Sequence, residues 1–344
     1  MELAQLAAAL PKVELHYHLT GAARPATLAY IARNFGPEGL EADEGAIRRQ
    51  ITVEPDCASL NDFLAHFTGI ARYFRTPEAW AWAAEQAVRE AAGQNILYLE
   101  LRFAPLLAGC GLPPEQVVEA TLRGMAQGSR RYGVPARALV ILGVGLPPEQ
   151  NEEAVRLAHK YRAQGVVGVD VAGPEALFPA KLQAGPLRLA RQLGLPITIH
   201  AGEAGGPENI RSAVDELGAA RIGHATRLWQ DPELLQRLAR QGVGLELCPT
   251  SNYQTQAISG WHEYPIHAFR QAGFRFAVCT DDPAISGIDL NHEYQLVMER
   301  FGFTPQQMGQ MVHDAIDISF LPAGEKPALH ALAQKKLDEV LAVL

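Results

Sequence analysis

The chain has 344 residues, of which 48% are hydrophobic and 20% are charged. This composition supplies a large apolar core and excludes a disordered chain. The net charge of −8 disfavours nucleic acid and anionic membrane surfaces as partners, because both require a basic face. The length suits either two domains of about 150 residues or one barrel of alternating strands and helices.

The sequence contains no segment typical of a membrane span or of export, and we expect a cytoplasmic protein. Its longest apolar runs, such as residues 138–146, are shorter than the roughly 18 residues that a membrane helix needs. The segment MELAQLAAALPKVELH has Glu2 and no basic residue before its short apolar stretch, unlike a secretory signal. The four cysteines are widely spaced without a CxxC pair, which disfavours zinc ribbons and disulfide scaffolds and fits a reducing compartment.

Short β-branched runs alternate with longer amphipathic segments along the chain. We predict eight strands, at residues 13–18, 96–103, 138–144, 166–171, 197–200, 221–224, 243–247 and 274–279. We predict helices between them at residues 77–94, 114–132, 151–164, 186–193, 209–217, 232–241 and 264–272. This rhythm predicts an α/β protein with a (β/α)8 TIM barrel, forming a single domain over residues 1–344.

The connection after the first strand is longer than the others and covers about residues 20–95. It contains the segment SLNDFLAHF at residues 59–67, which is amphipathic if it is helical. Because it leaves the C-terminal end of a strand, it would lie over the mouth of the barrel, where barrel enzymes carry their active sites. We therefore predict a helical insertion that acts as a lid, on which His66 could face either substrate or solvent.

His16 and His18 lie two residues apart in VELHYH, at the end of the first predicted strand. In an extended strand their side chains project to the same side. Two imidazoles that converge on one point suit a borderline transition metal such as zinc. An isolated HxH motif fits equally well with two polar residues at a strand end, so this pair alone decides nothing.

Three more predicted strands end in residues that could bind a metal or move a proton. His200 ends ITIH, His224 ends RIGH, and Asp281 and Asp282 follow FAVCT. Burying such groups costs several kcal/mol each unless they are paired or bound to a metal. We expect one metal rather than two, because the fourth strand, VVGVDVAG, has no lysine to bridge a second ion. The predicted ligands are His16, His18, His200 and Asp281, with water at the remaining position.

Glu203 and Asp282 are the candidate proton-transfer and substrate residues. Glu203 lies three residues beyond His200, and a closed pocket would raise its proton affinity and make it a general acid. On its own, a glutamate in this loop is more often a residue that starts a helix. Asp282 adjoins the predicted ligand Asp281 but points elsewhere, unless it is merely a turn residue before Pro283.

Seven motifs carry a resemblance to a known family. They are PKVELHYHLTGA, YLELRFAP, GVDVAGPE, ITIHAGEAGGPE, RIGHATR, LCPTSNYQT and TDDP, in this order. The chain resembles the adenosine deaminase family of the amidohydrolase superfamily over roughly residues 11–326. The segments GIDLNHEY and SNYQT are most similar to bacterial adenosine deaminases.

This resemblance implies one zinc ion per subunit, bound by the four predicted ligands, and hydrolysis at C6 of a 6-aminopurine. Glu203 would donate a proton to N1, and His224 would orient the attacking water and stabilise its charge or take its proton. Asp282 would contact N7, and the backbone N–H of Gly173 would contact N3. Ammonia and a 6-oxopurine are then the products, as in purine salvage. The H-x-E and PCxxC signatures of nucleic-acid deaminases are missing, so a polynucleotide substrate is not expected.

Two departures from the family pattern leave the substrate open. Thr20 stands where many adenosine deaminases have an aspartate that is expected to contact the ribose. The segment LGVGLPPE lacks the Arg-His pair of some relatives. Adenosine and 2′-deoxyadenosine are the expected substrates, with adenine, N6-methyl-AMP or 6-aminodeoxyfutalosine as the alternative. A non-catalytic binding relative is a third possibility, disfavoured because the chain keeps all four ligands, Glu203 and His224. The oligomeric state stays open.

Overall fold

A computed structural model of the chain describes residues 2–54, 57, 59–106 and 111–344. Eight parallel strands form one sheet whose spatial order follows the chain. They are β1 (Lys12–His18), β2 (Ile96–Phe103), β3 (Ala136–Gly143), β4 (Val166–Ala172), β5 (Ile197–Ala201), β6 (Arg221–His224), β7 (Gly244–Leu247) and β8 (Phe276–Val278). All eight predicted strands are confirmed, with ends that differ by at most two residues.

Helices separate consecutive strands in the described part of the chain. They are α1 (Leu3–Ala9), α2 (Pro25–Asn34), α3 (Glu44–Ile51), α4 (Leu60–Ala71), α5 (Pro77–Gly93), α6 (Pro114–Tyr132), α7 (Pro148–Lys160), α8 (Ala184–Gln192), α9 (Pro207–Asp215), α10 (Pro232–Gln241), α11 (Pro249–Gln254), α12 (Ile266–Ala272), α13 (Pro283–Ser286), α14 (Leu290–Phe301), α15 (Pro305–Ile318) and α16 (Lys326–Leu341). Among the described residues, none of these helices combines the length and the hydropathy needed to cross a membrane.

Local sequence signals explain where many of these helices begin and end. Thr76 and Asp231 cap α5 and α10 by accepting hydrogen bonds from backbone N–H groups three residues later, and each is followed by Pro. Gly133 and Gly242 end α6 and α10 with φ of 76° and 74°, a left-handed conformation that glycine adopts without strain. These caps determine where the helices between the strands begin and end.

A single parallel bridge between Tyr17 in β1 and Asp281 after β8 closes the barrel. The N–H of His18 donates to the carbonyl of Asp281 at 3.0 Å, and the N–H of Asp281 donates to the carbonyl of His16 at 2.9 Å. Because this seam joins the first strand to the end of the last, it confirms the predicted (β/α)8 barrel. It also brings two predicted ligands from one end of the sequence beside a third from the other end.

The predicted insertion contains three helices, α2, α3 and α4, before the barrel helix α5, which packs on β2 and α6. Ser59 caps α4 by accepting a hydrogen bond from the N–H of Asp62. One face of α4 is apolar, with residues at helical spacing: Leu60, Phe63, Leu64 and Phe67. All four line the cavity that also borders His18, His200 and Asp281, which is the main cavity of the barrel. The apolar face of α4 thus borders the cavity at the C-terminal end of the barrel.

Candidate active site

The four predicted metal ligands converge at the C-terminal end of the barrel. The Nε2 atom of His18 lies 3.3 Å from Nε2 of His16 and 3.2 Å from Nε2 of His200. Oδ1 of Asp281 lies 3.1 Å from Nε2 of His16 and 3.2 Å from Nε2 of His18. Zinc bonds of 2.0–2.1 Å in a tetrahedron separate neighbouring ligand atoms by about 3.3–3.4 Å. The donor types and their spacing therefore fit a divalent metal of this kind.

Three of the four predicted ligands also form a hydrogen bond through the atom that faces away from the group, and this bond orients the side chain. Nδ1 of His16 lies 2.7 Å from Oε2 of Glu246, and Nδ1 of His200 lies 3.1 Å from Oδ1 of Asp170. The Ser251 hydroxyl donates to the second oxygen of Asp281 at 2.7 Å. A carboxylate that accepts the Nδ1 proton leaves Nε2 free to face the metal, and such partners orient the ring.

Two buried arginines keep these supporting carboxylates ionised. Arg102 donates to Asp170 at 2.9 Å and to Glu246 at 2.7 Å, and Arg221 donates to the other oxygen of Glu246 at 2.7 Å. Burial alone would raise the pKa of Glu246, but Arg102 and Arg221 outweigh it and hold this pKa well below its usual range. Burial is likewise outweighed at Asp170, where His200 and Arg102 lower the pKa.

His224 lies beside the ligand group with its backbone in a left-handed conformation, at φ 65°. Its Nδ1 is 2.9 Å from Nδ2 of Asn252, and its Nε2 is 3.6 Å from Oε2 of Glu203. Burial lowers the pKa of His224 well below its usual value, so the ring is neutral. Its nitrogens also come within 4.8 Å of donor atoms of His16, His200 and Asp281. Of the four histidines, His18 rather than His224 has the direct 3.2–3.3 Å contacts to the other ligands.

Glu203 is buried at the edge of the cavity, on the loop that leaves β5. Burial, and then the charges of Asp281 and Glu175, raises the pKa of Glu203 to about 8. Thr255 donates to its Oε1 at 3.2 Å. A carboxyl with this pKa carries a proton at neutral pH and can donate it to a bound molecule.

The predicted substrate residues Thr20, Gly173 and Asp282 line the same cavity, which has a volume of about 300 Å³. Gly173 has φ 133°, and a Cβ there would lie 2.7 Å from Cγ2 of Val144, so only glycine suits this position. In the described part of the chain, Oδ1 of Asp282 has no hydrogen-bond partner although it is buried. Burial, Asp281 and Glu203 raise the pKa of Asp282 well above its usual value.

His66 forms a hydrogen bond to α3 and is not among the described residues that line the main cavity. It lies on α4, and its Nδ1 donates to the carbonyl of Gln50 at 3.2 Å.

Four further residues of this site, Asp170, Glu246, Glu175 and Asn252, carry no signal in the sequence that by itself predicts their role. Asp170 and Glu246 lie within short strands and become partners of histidines only when the barrel closes. Glu175 and Asn252 lie in the motifs GVDVAGPE and LCPTSNYQT, which carried the family resemblance without a function for these positions. The sequence feature that could have identified Asp170 and Glu246 is an acidic residue inside an otherwise apolar predicted strand.

Comparison with known proteins identifies the family. A sequence profile described as adenosine deaminase matches residues 11–336. The chain belongs to the adenosine deaminase family. An adenosine deaminase from Enterococcus faecalis is 38% identical, with 96% of each chain covered. The predicted family and the predicted enzyme class, a hydrolytic deaminase, are therefore confirmed.

Solved structures agree with this family assignment. An amidohydrolase from Burkholderia ambifaria, determined with bound zinc, is 26% identical with a TM-score of 0.87, covering 99% of this chain and 94% of that one. An N6-mAMP deaminase from Arabidopsis is 28% identical with a TM-score of 0.86, covering 96% of this chain and 99% of the other. Proteins similar in structure to this chain thus include one determined with bound zinc and one described as an N6-mAMP deaminase.

Proposed function

We propose that the chain hydrolyses adenosine and 2′-deoxyadenosine to inosine and 2′-deoxyinosine, with release of ammonia. The observation that carries this proposal is the close group of three imidazoles and one carboxylate beside Glu203, whose raised pKa makes it a proton donor. The adenosine deaminase from Enterococcus faecalis supports the same substrate, because it is similar to this chain over nearly its whole length.

One Zn²⁺ per subunit is the proposed cofactor, and the spacing of the donor atoms favours His16, His18, His200 and Asp281 as its ligands. When bound, zinc would lower the pKa of a water molecule from about 15.7 to about 7 and so make it a nucleophile at neutral pH. The zinc-bound relative from Burkholderia ambifaria supports this choice of metal. Glu246 and Asp170 hold the two imidazoles in the tautomer that binds through Nε2.

Glu203 donates a proton to N1 of the purine, which makes C6 more electrophilic. His224 orients the attacking oxygen and stabilises its charge. Its Nδ1 accepts a hydrogen bond from Asn252, so the neutral ring carries its proton on Nε2, which faces the side of Glu203. This tautomer favours donation by His224 over removal of a proton.

The base is proposed to lie between α4 and the polar end of the barrel. The N–H of Gly173 donates to N3, and Asp282, when it carries a proton, donates from its unpartnered oxygen to N7. The apolar face of α4 packs over the ring. We further propose that the insertion of residues 20–95 acts as a lid through α4. Slower amide hydrogen exchange of α4 with inosine bound would support this closure.

The charges around the cavity favour a nucleoside over a nucleotide. Among the described residues that line it, Arg102 is the one guanidinium, and Asp170 and Glu246 already pair with it. A 5′-phosphate would add a charge of about −1.5 to −2, and these described lining residues include no other Lys or Arg to pair with it. N6-methyl-AMP is therefore the weaker alternative, although the Arabidopsis N6-mAMP deaminase has the same fold. The widely spaced cysteines support a cytoplasmic setting, with purine salvage as the proposed role.

The test is a steady-state panel with zinc-loaded protein and adenosine, 2′-deoxyadenosine, adenine, N6-methyl-AMP and 6-aminodeoxyfutalosine. We expect the highest kcat/KM for the two nucleosides, measured by loss of the adenine absorbance band and by release of ammonia. A higher kcat/KM for any other compound would replace the proposed substrate. Turnover by wild type, together with none by a Glu203→Gln variant that still binds zinc, would exclude a binding-only protein.

A further inference from the structure

Glu175 is a buried carboxylate between β4 and α8, and it is neither a proposed metal ligand nor a proposed substrate contact. Its side chain accepts five hydrogen bonds, four from the loop after β5 and one from α9. The donors are the N–H groups of Gly202 at 2.8 Å, Glu203 at 3.1 Å, Ala204 at 3.0 Å and Gly205 at 2.9 Å, and Nδ2 of Asn209 at 2.9 Å. Four consecutive N–H groups thus converge on one carboxylate, an arrangement that binds anions strongly.

Carbonyl groups of the same loop also have a hydrogen-bond donor from a side chain. Arg227 donates from Nη1 to the carbonyls of Ala204 and Gly205. Gly202 has φ 77°, and a Cβ there would lie 2.4 Å from Cδ1 of Ile210, so the loop depends on a left-handed glycine at its start. Glu175 accepts hydrogen bonds from the N–H groups of this loop, and Arg227 donates to its carbonyls, so both sides of the loop are held.

We propose that Glu175 is a positioning residue for Glu203, the proton donor of the proposed reaction. It bonds the backbone N–H of Glu203 itself and of the residues on either side. This fixes the direction in which the Glu203 side chain leaves the loop, toward Thr255 and the cavity. A displacement of about 1 Å at a reacting group can lower a rate by about 100-fold.

The charge of Glu175 supports the same role. It acts after burial and Asp281 to raise the pKa of Glu203, so it helps to keep the proton on the donor. Glu175 itself is not among the described residues that line the main cavity. It therefore acts on the reaction through Glu203 rather than on the substrate.

The test compares Glu175→Gln with Asn209→Ala in zinc-loaded protein. Glutamine keeps the size of the side chain but replaces one accepting oxygen with an NH₂ group that faces N–H donors. We expect kcat to fall by about 10- to 100-fold while KM and zinc content stay within about 3-fold. Asn209→Ala removes one of the five bonds and leaves the charge and the backbone bonds intact, so we expect kcat within about 3-fold.

A double-mutant cycle distinguishes positioning from a general structural role. The cycle uses Glu203→Asp, whose shorter carboxyl displaces the proton donor but still allows turnover. If Glu175 acts through Glu203, adding Glu175→Gln to Glu203→Asp should lower kcat by less than about 2-fold further. An equal loss in both backgrounds, or an unchanged kcat in Glu175→Gln, would overturn the proposal. If Glu175→Gln does not fold, Glu175→Asp, which keeps the charge on a shorter side chain, enters the same cycle with the same criteria.

This inference rests on the proposed function, and the experiment separates the two. Failure of wild type to deaminate any 6-aminopurine would contradict the proposed function. Turnover by wild type, its loss in Glu203→Gln, and normal kcat in Glu175→Gln would leave the proposed function standing and reject the positioning role alone.

Discussion

Nδ2 of Asn252 lies 2.9 Å from Nδ1 of His224, and both side chains are buried. The amide donates to Nδ1, so the proton of the neutral imidazole lies on Nε2. This hydrogen bond decides whether His224 donates to the attacking oxygen or takes a proton from it. The two roles that the sequence leaves open therefore make opposite predictions for a change at Asn252.

Asn252→Asp reverses the hydrogen bond, because a carboxylate accepts from Nδ1–H and leaves Nε2 without its proton. If His224 acts as a donor, we expect kcat to fall by about 100-fold or more, and further than in Asn252→Ala. Steady-state kinetics with adenosine measure kcat for wild type, Asn252→Ala and Asn252→Asp, and we expect kcat to decrease in that order. Asn252→Asp with kcat equal to or above that of wild type would assign His224 the role of a base.

His224→Ala should lower kcat far more than it weakens substrate binding, because the ring acts on the attacking oxygen. We expect a loss of about 100-fold or more in kcat, the size of effect seen when one stabilising donor is removed. Substrate affinity, measured as Kd in a Glu203→Gln background that prevents turnover, should change by less than about 3-fold. An unchanged kcat would contradict this role.

Glu246→Gln should weaken both the metal site and the fold. The change leaves Arg102 and Arg221 without one of their buried partners and removes the carboxylate that orients His16. We expect the free energy of unfolding to fall by about 3–5 kcal/mol, as for other broken buried ion pairs. Zinc affinity should fall by about 10- to 100-fold, measured by competition with a chelator.

Glu152→Gln is the matched control for this prediction. Glu152 pairs with Arg156 on the exposed face of α7, so its loss should change the free energy of unfolding by less than about 1 kcal/mol. Zinc affinity should not change. Equal effects of the two substitutions in urea unfolding would show that the buried network does not contribute as the contacts indicate.

The sequence predicted the barrel and the convergence of the ligands because both depend on local patterns. Apolar strands that end in His or Asp indicate the positions of the proposed ligands, and the HxH spacing places two imidazoles on one side of a strand. The partners of these ligands were not predictable in this way. Glu246 is 230 residues from His16, and Glu175 contacts a loop that begins 27 residues later. Such pairs depend on strand register and on side-chain direction across neighbouring strands, which one sequence does not encode in a readable pattern.

The activity should fall at alkaline pH because the proton donor is lost. Burial, Asp281 and Glu175 raise the pKa of Glu203 to about 8, so the carboxyl is protonated below this pH and ionised above it. We expect kcat/KM to fall tenfold per pH unit well above pH 8. Thr255→Val should shift this limb to higher pH, because the Thr255 hydroxyl lowers the pKa of Glu203. A shift to lower pH would assign the limb to another group.

Thr20 offers a test of how the cavity selects a nucleoside over a free base. It lines the cavity with a hydroxyl where many adenosine deaminases have a carboxylate. Thr20→Asp should raise the ratio of kcat/KM for adenosine to kcat/KM for adenine by about 10-fold, because hydrogen bonds to a charged group contribute about 1.5–3 kcal/mol. Thr20→Val should lower the same ratio, since it removes the hydroxyl and keeps the shape. An unchanged ratio in both variants would show that residue 20 does not contact the sugar, and the selectivity would then have to come from the apolar face of α4.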